Sequence, residues 1–208
     1  MSIIRCSILV IFLLAIVRPV HAAPVSYTFV SKLSRVTFNI EHQGFIELVG
    51  TMRVAPGSFD FDVDDWGRSN AAVVLPTRSI DLGDAVWNKM MRADKNWVKL
   101  FQYPTISFKS TKVVRTDSTH GKIVGDLTIA GVTKSVVLDL KVNKIGINEV
   151  SELPSIGFTA STTLKRSEFG LDAYEDLVGD LLTLKIQIEA VQGKDTDAGH
   201  DQTAIGVD

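Results

Sequence analysis

The stretch Val136-Val137-Leu138-Asp139-Leu140-Lys141-Val142-Asn143 decides the fold. Val136, Leu138, Leu140 and Val142 alternate with Val137, Asp139, Lys141 and Asn143. A period of two sends the two sets to opposite faces of a strand, one dry and one largely wet. Antiparallel sheets tolerate a wet face, whereas parallel sheets are covered on both sides. The same alternation recurs upstream, where Val36, Phe38 and Ile40 interleave with Arg35, Thr37, Asn39 and Glu41. Leu127 and Ile129 interleave with Asp126 and Thr128, and Leu182, Leu184, Ile186 and Ile188 with Thr183, Lys185, Gln187 and Glu189.

Working outward, Phe45 to Val54 reads as the strand after the first. Ala71 to Ile80 is a strand made irregular by Pro76, which lacks a ladder donor. Ile106, Phe108 and Ser110 share one face of a further strand, and Phe158, Ala160, Thr162 and Leu164 one face of another. Turn signals fall at Ala130-Gly131, over Asn143 to Pro154 as a longer loop, and at Val178-Gly179-Asp180 before the last strand. Asp81 to Tyr103 breaks the pattern and reads as helical. Asp84 is a good N-cap, Trp87, Met90 and Met91 lie at helical spacing, Asp94-Lys95-Asn96 interrupts, and Pro104 ends the segment.

About eight strands with one short helical segment make an all-β chain, and that little helix does not cover the apolar face of the sheet. The sheet therefore covers itself, as an up-and-down, lipocalin-like barrel or a sandwich. An eight-stranded barrel is either filled by side chains or holds one small ligand. Ala160, Thr162 and Gly50 are small inward residues. Their space goes either to larger neighbours that interdigitate or to a guest, because empty apolar volume forfeits contacts.

Residues 1–22 read as a secretory leader. Arg5 supplies the positive start, Ile8 to Val17 the apolar run, and Val20-His21-Ala22 the small residues before a cut between Ala22 and Ala23. The run is short for a bilayer span. A leader of this kind predicts export, here to the periplasm. Residues 23–191 then form one domain, and 192–208, rich in Asp, Gly, Thr and Ala, read as a disordered tail. The only cysteine, Cys6, leaves with the leader, so the mature chain has no thiol for a disulfide, a zinc site or a nucleophile. Loss of Arg5 and Arg18 leaves 20 of the 22 basic residues against 24 acidic ones, a net charge near −4 without a basic cluster. That argues against nucleic acid as a partner.

No catalytic or metal-binding constellation is legible. His21 and His200 lie in the leader and tail, and His42 and His120 make no zinc motif. No nucleophile elbow or phosphate loop is present. Asp60-Phe61-Asp62-Val63-Asp64-Asp65 has calcium-like spacing but lacks the glycine and terminal glutamate of an EF-hand, and reads as a solvated acidic loop.

A series of short blocks resembles the YceI-like family of exported lipid-binding proteins. They are Tyr27-Thr28-Phe29, Ser34-Arg35-Val36-Thr37-Phe38, His42-Gln43-Gly44-Phe45, Gly50-Thr51, Ser79-Ile80-Asp81-Leu82-Gly83 and Met91-Arg92. Tyr103 to Ser110, Gly125 to Lys134 and Arg166-Ser167-Glu168-Phe169-Gly170-Leu171 follow in the family's order. The resemblance implies an eight-stranded antiparallel barrel with a short helix beside it, binding isoprenoid lipids, quinones or long-chain amides inside. Lys95 to Phe101 departs from the family pattern, and it and Trp66, Trp87 and Trp97 are expected near the barrel mouth.

The expected ligand site is a long apolar lining with little headgroup chemistry. Its candidates are Phe38, Ile40, Phe45, Met52, Met90, Trp97, Phe108, Phe158, Ala160 and Leu164. His42 continues the register of Phe38 and Ile40 and would face the cavity, where it would meet a quinone oxygen or polar head; a structural histidine is the other reading. Arg92 would meet a headgroup at the mouth or face solvent. No cofactor is required beyond a bound isoprenoid lipid or quinone. The implied partners are a long-chain apolar lipid and, transiently, a membrane surface; a homodimer is allowed. Two other functions compete: a lipid amide or ester hydrolase using Ser167 or Thr162 beside His42, and an interaction module for a membrane electron-transfer protein.

Overall fold

The computed structural model describes residues 22–193; the leader and nearly all of the tail lie outside the described residues. The chain runs β1 (Val25–Phe29), β2 (Arg35–His42), β3 (Ile46–Arg53), β4 (Ser58–Phe61) and β5 (Asn70–Pro76). Helices α1 (Ala85–Ala93) and α2 (Val98–Gln102) follow. Strands β6 (Thr105–Arg115), β7 (His120–Ile129), β8 (Val132–Ile147), β9 (Pro154–Lys165) and β10 (Val178–Gln192) complete it.

All ladders are antiparallel, and β10 is the seam that closes them. One edge of β10 pairs with β9 along its length. Its other edge pairs first with β2 and then, beyond Gln187, with β1. Strands β1 and β2 are thus two halves of one course, as are β3 and β4, which pair with β2 and β1. Counted by course, the sheet is a closed eight-stranded antiparallel barrel. The last gap closes where β3–β4 meets β5. The Ala55 N–H donates to the Val74 carbonyl at 2.9 Å, and Thr51 and Asp81 exchange bonds of 2.8 and 2.9 Å.

Local chemistry explains the joints. Ala130 (φ 49°) and Gly131 (φ 79°) both take the left-handed conformation that a tight hairpin between right-twisted strands requires. A Cβ on Gly131 would also lie 2.5 Å from the Tyr103 hydroxyl, so only glycine fits. The Asp84 carboxylate accepts from the Trp87 N–H at 2.9 Å and caps α1 as its sequence predicts. Pro76 ends β5, and a 3₁₀ turn over Thr77–Ser79 replaces the rest of the expected strand to Ile80.

Three boundaries differ from the sequence reading. β8 continues through Asn143 to Ile147, because a bulge between Val142 and Lys144 absorbs the break in alternation; the expected long loop shrinks to residues 148–153. Val178-Gly179-Asp180 is a bulge at the start of β10, not a turn before it. Gln192 pairs with Tyr27 and belongs to the barrel rather than to the tail.

The interior has two halves. At one end Tyr27, Phe29, Phe59, Phe61, Trp66 and Phe158 are all buried and ring-stacked or edge-on, with centroids 5.3 to 5.6 Å apart. Arg115 covers Trp66 from outside, 5.6 Å from the ring centroid. This end is a solid aromatic plug. The other end is hollow.

Candidate functional site

The hollow half is a cavity of about 470 Å³ lined by the inward rows of most strands. β2 contributes Val36, Phe38, Ile40 and His42, β7 Leu127 and Ile129, β8 Val136 and Leu138, and β10 Leu182, Leu184 and Ile186. The period-two pattern of each strand therefore becomes a wall. The helical segment lies at the open end with Trp87, Met90, Met91 and Trp97. The loop after Phe169 brings Leu171, Tyr174 and Leu177. Polar side chains are few: His42, Asp94, Thr162, Arg166 and Tyr174.

Two of the wall aromatics lie flat against glycines of the neighbouring strand. The Phe38 ring covers Gly50 and the Phe108 ring covers Gly125; a Cβ would clash with the ring carbons, at 2.1 Å on Gly50 and 2.4 Å on Gly125. Trp66 covers Gly121 in the same way within the plug. The small residue Gly50 therefore leaves no volume for a guest. Its missing side chain lets Phe38 retreat to the wall and keeps the cavity open.

Most of the expected lining residues meet here. Phe38, Ile40, His42, Met52, Met90, Trp97, Phe108 and Leu164 all border the cavity. Three do not. Phe45 follows the β2–β3 turn and is 83 % exposed; the turn at Gln43 (φ 55°) and Gly44 (φ 70°) breaks the alternation that the reading extended into it. Phe158 belongs to the plug, edge-on to Phe59 and Phe61. Ala160 is buried between the plug and the lining residue Thr162, below the cavity. Trp66, expected near the mouth, is at the opposite end. Leu127, Leu138, Leu184 and Ile186 were legible as inward residues from the same alternation, but nothing in it tells cavity from plug.

The polar groups at the mouth are mostly committed. The Tyr174 hydroxyl donates to Asp94 Oδ2 at 2.5 Å and accepts from Asn96 Nδ2 at 3.0 Å, tying the helical segment to the 171–177 loop. This hydrogen bond is the main reason the Asp94 carboxyl is held below the usual carboxylate range. A folded value below the unfolded one (~3.9) means the tie is complete above that value and is lost as pH falls through the lower folded one. The mouth is therefore tied throughout mildly acidic and neutral pH. Tyr174→Phe should remove the tie at all pH and speed exchange of a bound apolar guest severalfold at neutral pH, read by stopped-flow fluorescence; an unchanged rate would deny Tyr174 a latch role.

Arg166, in the first of the block Arg166 to Leu171, is 2 % exposed and was given no role by its sequence. Its Nε donates to the Gly179 carbonyl at 2.9 Å, one terminal nitrogen to Leu171 at 2.5 Å and the other to Val178 at 2.7 Å. The Trp97 ring lies 5.7 Å from its guanidinium carbon. One buried cation thus pins the mouth loop, the β10 bulge and the helical segment together. Arg92 is exposed to solvent, one of its two expected placements, and also donates to the Ile80 carbonyl at 2.9 Å.

Of the two hydroxyls considered beside His42, Thr162 lines the same cavity as His42 and Ser167 is bonded elsewhere. Ser167 donates to Asp180 Oδ2 at 2.9 Å, while the His42 ring leans on Trp87 with centroids 6.1 Å apart. In the acidic run, one Asp62 oxygen accepts from the Asp64 and Asp65 N–H groups and the other meets Arg68 at 3.1 Å. The run is a turn built around Asp62.

A closed antiparallel barrel with a blind, almost wholly apolar cavity is a container for one small ligand. The chain belongs to the family described as the YceI-like domain, whose model matches residues 27–190. It is 32 % identical over 157 residues to a UPF0312 protein of Ectopseudomonas mendocina (strain ymp), covering 76 % of this chain and 81 % of that protein. Among solved structures, BcnA of Burkholderia cenocepacia superposes with a TM-score of 0.67 at 22 % identity, over 78 % of this chain and 99 % of that one. A polyisoprenoid binding domain from Saccharophagus degradans, implicated in plant cell wall breakdown, gives a TM-score of 0.57 at 13 % identity, over 81 % and 99 %. These two likenesses concern the fold.

Proposed function

We propose that this protein is an exported, periplasmic carrier or store for a long apolar lipid, such as a polyisoprenoid or an isoprenoid quinone. The observation that carries the reading is the cavity: about 470 Å³ of apolar space, blind at one end and open at the other. Each enclosed methylene is worth roughly 0.8 kcal/mol relative to water. Ordering the chain and extracting it from a bilayer offset much of this, which leaves exchange possible. The polyisoprenoid-binding neighbour supports the same class of ligand.

Loading from a membrane suits the open end. Phe45, Ile46, Val86, Met90 and Leu177 are exposed on the β2–β3 turn, α1 and the mouth loop. Exposed apolar residues grouped on one face mark a contact surface. A bilayer is the contact that also holds the guest. His42, on the lining beside Trp87, would meet a quinone oxygen or another polar head. Binding rather than catalysis is the reading, since the lining is almost wholly apolar.

Native mass spectrometry of protein purified from its host should show an adduct that organic extraction removes and identifies as an apolar lipid. Protein that carries no adduct and takes up no lipid from isoprenoid-loaded vesicles would overturn the proposal. Turnover of a labelled lipid amide or ester would replace it with hydrolysis.

A further inference from the structure

The cavity does not run the length of the barrel; on β8, β9 and β10 its lining stops short of the plug. On β9, Leu164 and Thr162 line it, Ala160 does not, and Phe158 is already in the plug. On β8, Leu138 lines it and Leu140 does not; on β10, Ile186 does and Ile188 does not. The floor beneath is Phe158 set edge-on against Phe59 and Phe61, at 5.6 and 5.3 Å. All three rings are at most 7 % exposed and close-packed, and such packing does not yield to a guest without losing its own contacts.

The dimensions then set a length. From Val36 at the floor to His42 at the mouth, β2 advances about 20 Å at ~3.3 Å per residue. An extended hydrocarbon laid along that row advances roughly 1.25 Å per carbon, so the ~20 Å from floor to mouth takes about 16 carbons. We infer that the aromatic plug makes the barrel a ruler, which encloses about 15–20 carbons of an apolar chain and leaves any remainder outside the mouth. In isoprenoid terms that is three to four units. The inference rests on the lipid-binding reading and narrows its ligand class to short prenyl chains, or to the terminal units of a longer one.

The test is a titration of delipidated protein with geraniol, farnesol, geranylgeraniol and solanesol (two, three, four and nine isoprene units), followed by native mass spectrometry. Affinity should climb about fourfold per enclosed carbon at most, up to geranylgeraniol, and then level off at solanesol. Thr162→Trp raises the floor and should cost geranylgeraniol at least tenfold while sparing geraniol. Phe158→Ala lowers the floor and should let solanesol outbind geranylgeraniol. Should Phe158→Ala fail to fold, the Thr162→Trp series alone decides. An affinity still climbing at solanesol, or a Thr162→Trp loss equal for every prenol, would overturn the ruler and leave lipid binding intact. No binding of any prenol, with no uptake from vesicles, would remove both.

Discussion

Arg166→Met should lower barrel stability by about 3–5 kcal/mol, the scale for stripping charged donors from several buried acceptors. The urea midpoint should fall with little change in slope. Methionine keeps much of the length and packing of the side chain, so the loss reports the guanidinium. Three carbonyls, on Leu171, Val178 and Gly179, lose their donor at once. A carbonyl left buried without a partner costs about 1–3 kcal/mol. The loop over 171–177 and the β10 bulge would lose their common anchor, so hydrogen exchange should accelerate there first while the plug end stays protected. Arg166→Lys should recover only part of the loss, since a single ammonium does not reproduce the planar fork. Uniform exchange across the barrel in Arg166→Met would show that the residue does not organise the mouth.

Phe59→Ala should cost a similar amount, about 3–5 kcal/mol, for a different reason. Phe59 is the hub of the plug, 5.6 Å from Tyr27, 5.4 Å from Phe29 and 5.6 Å from Phe158. Its removal leaves a void that strands on several sides cannot close, and cavity cost adds to the lost transfer energy. Phe38→Ala provides the contrast. Phe38 already faces the hollow half and is only partly buried, so its loss should cost about half as much. The effect on guest binding should be larger for Phe38 than for Phe59. Equal stability losses from both, measured by urea unfolding, would contradict the division of the barrel into a structural end and a hollow end.

Much of the site was legible in the chain, and the limits are physical. Alternation named Phe38, Ile40 and His42 as one inward row and Leu164 as part of another, and all four border the cavity. The same logic placed Phe158 and Ala160 beside them, because periodicity records which face a residue takes and not how far along the barrel it stands. Phe45 failed at a turn whose left-handed residues ended the register. The space at Gly50 was open to a larger neighbour or to a guest, and the neighbour takes it: Phe38 fills it from across the ladder.

By itself the sequence determined the class of structure: inward and outward rows of antiparallel strands, a capped helical interruption, and an apolar interior that the sheet must enclose. Those follow from contacts between residues near in the chain and from the faces they share. Only the tertiary structure decided where the interior is solid and where it is hollow. That depends on Tyr27 and Phe29 at one end of the chain meeting Phe59 in its first half and Phe158 near its other end. Volume left over by such long-range packing is a property of all the strands together, and no local pattern carries it.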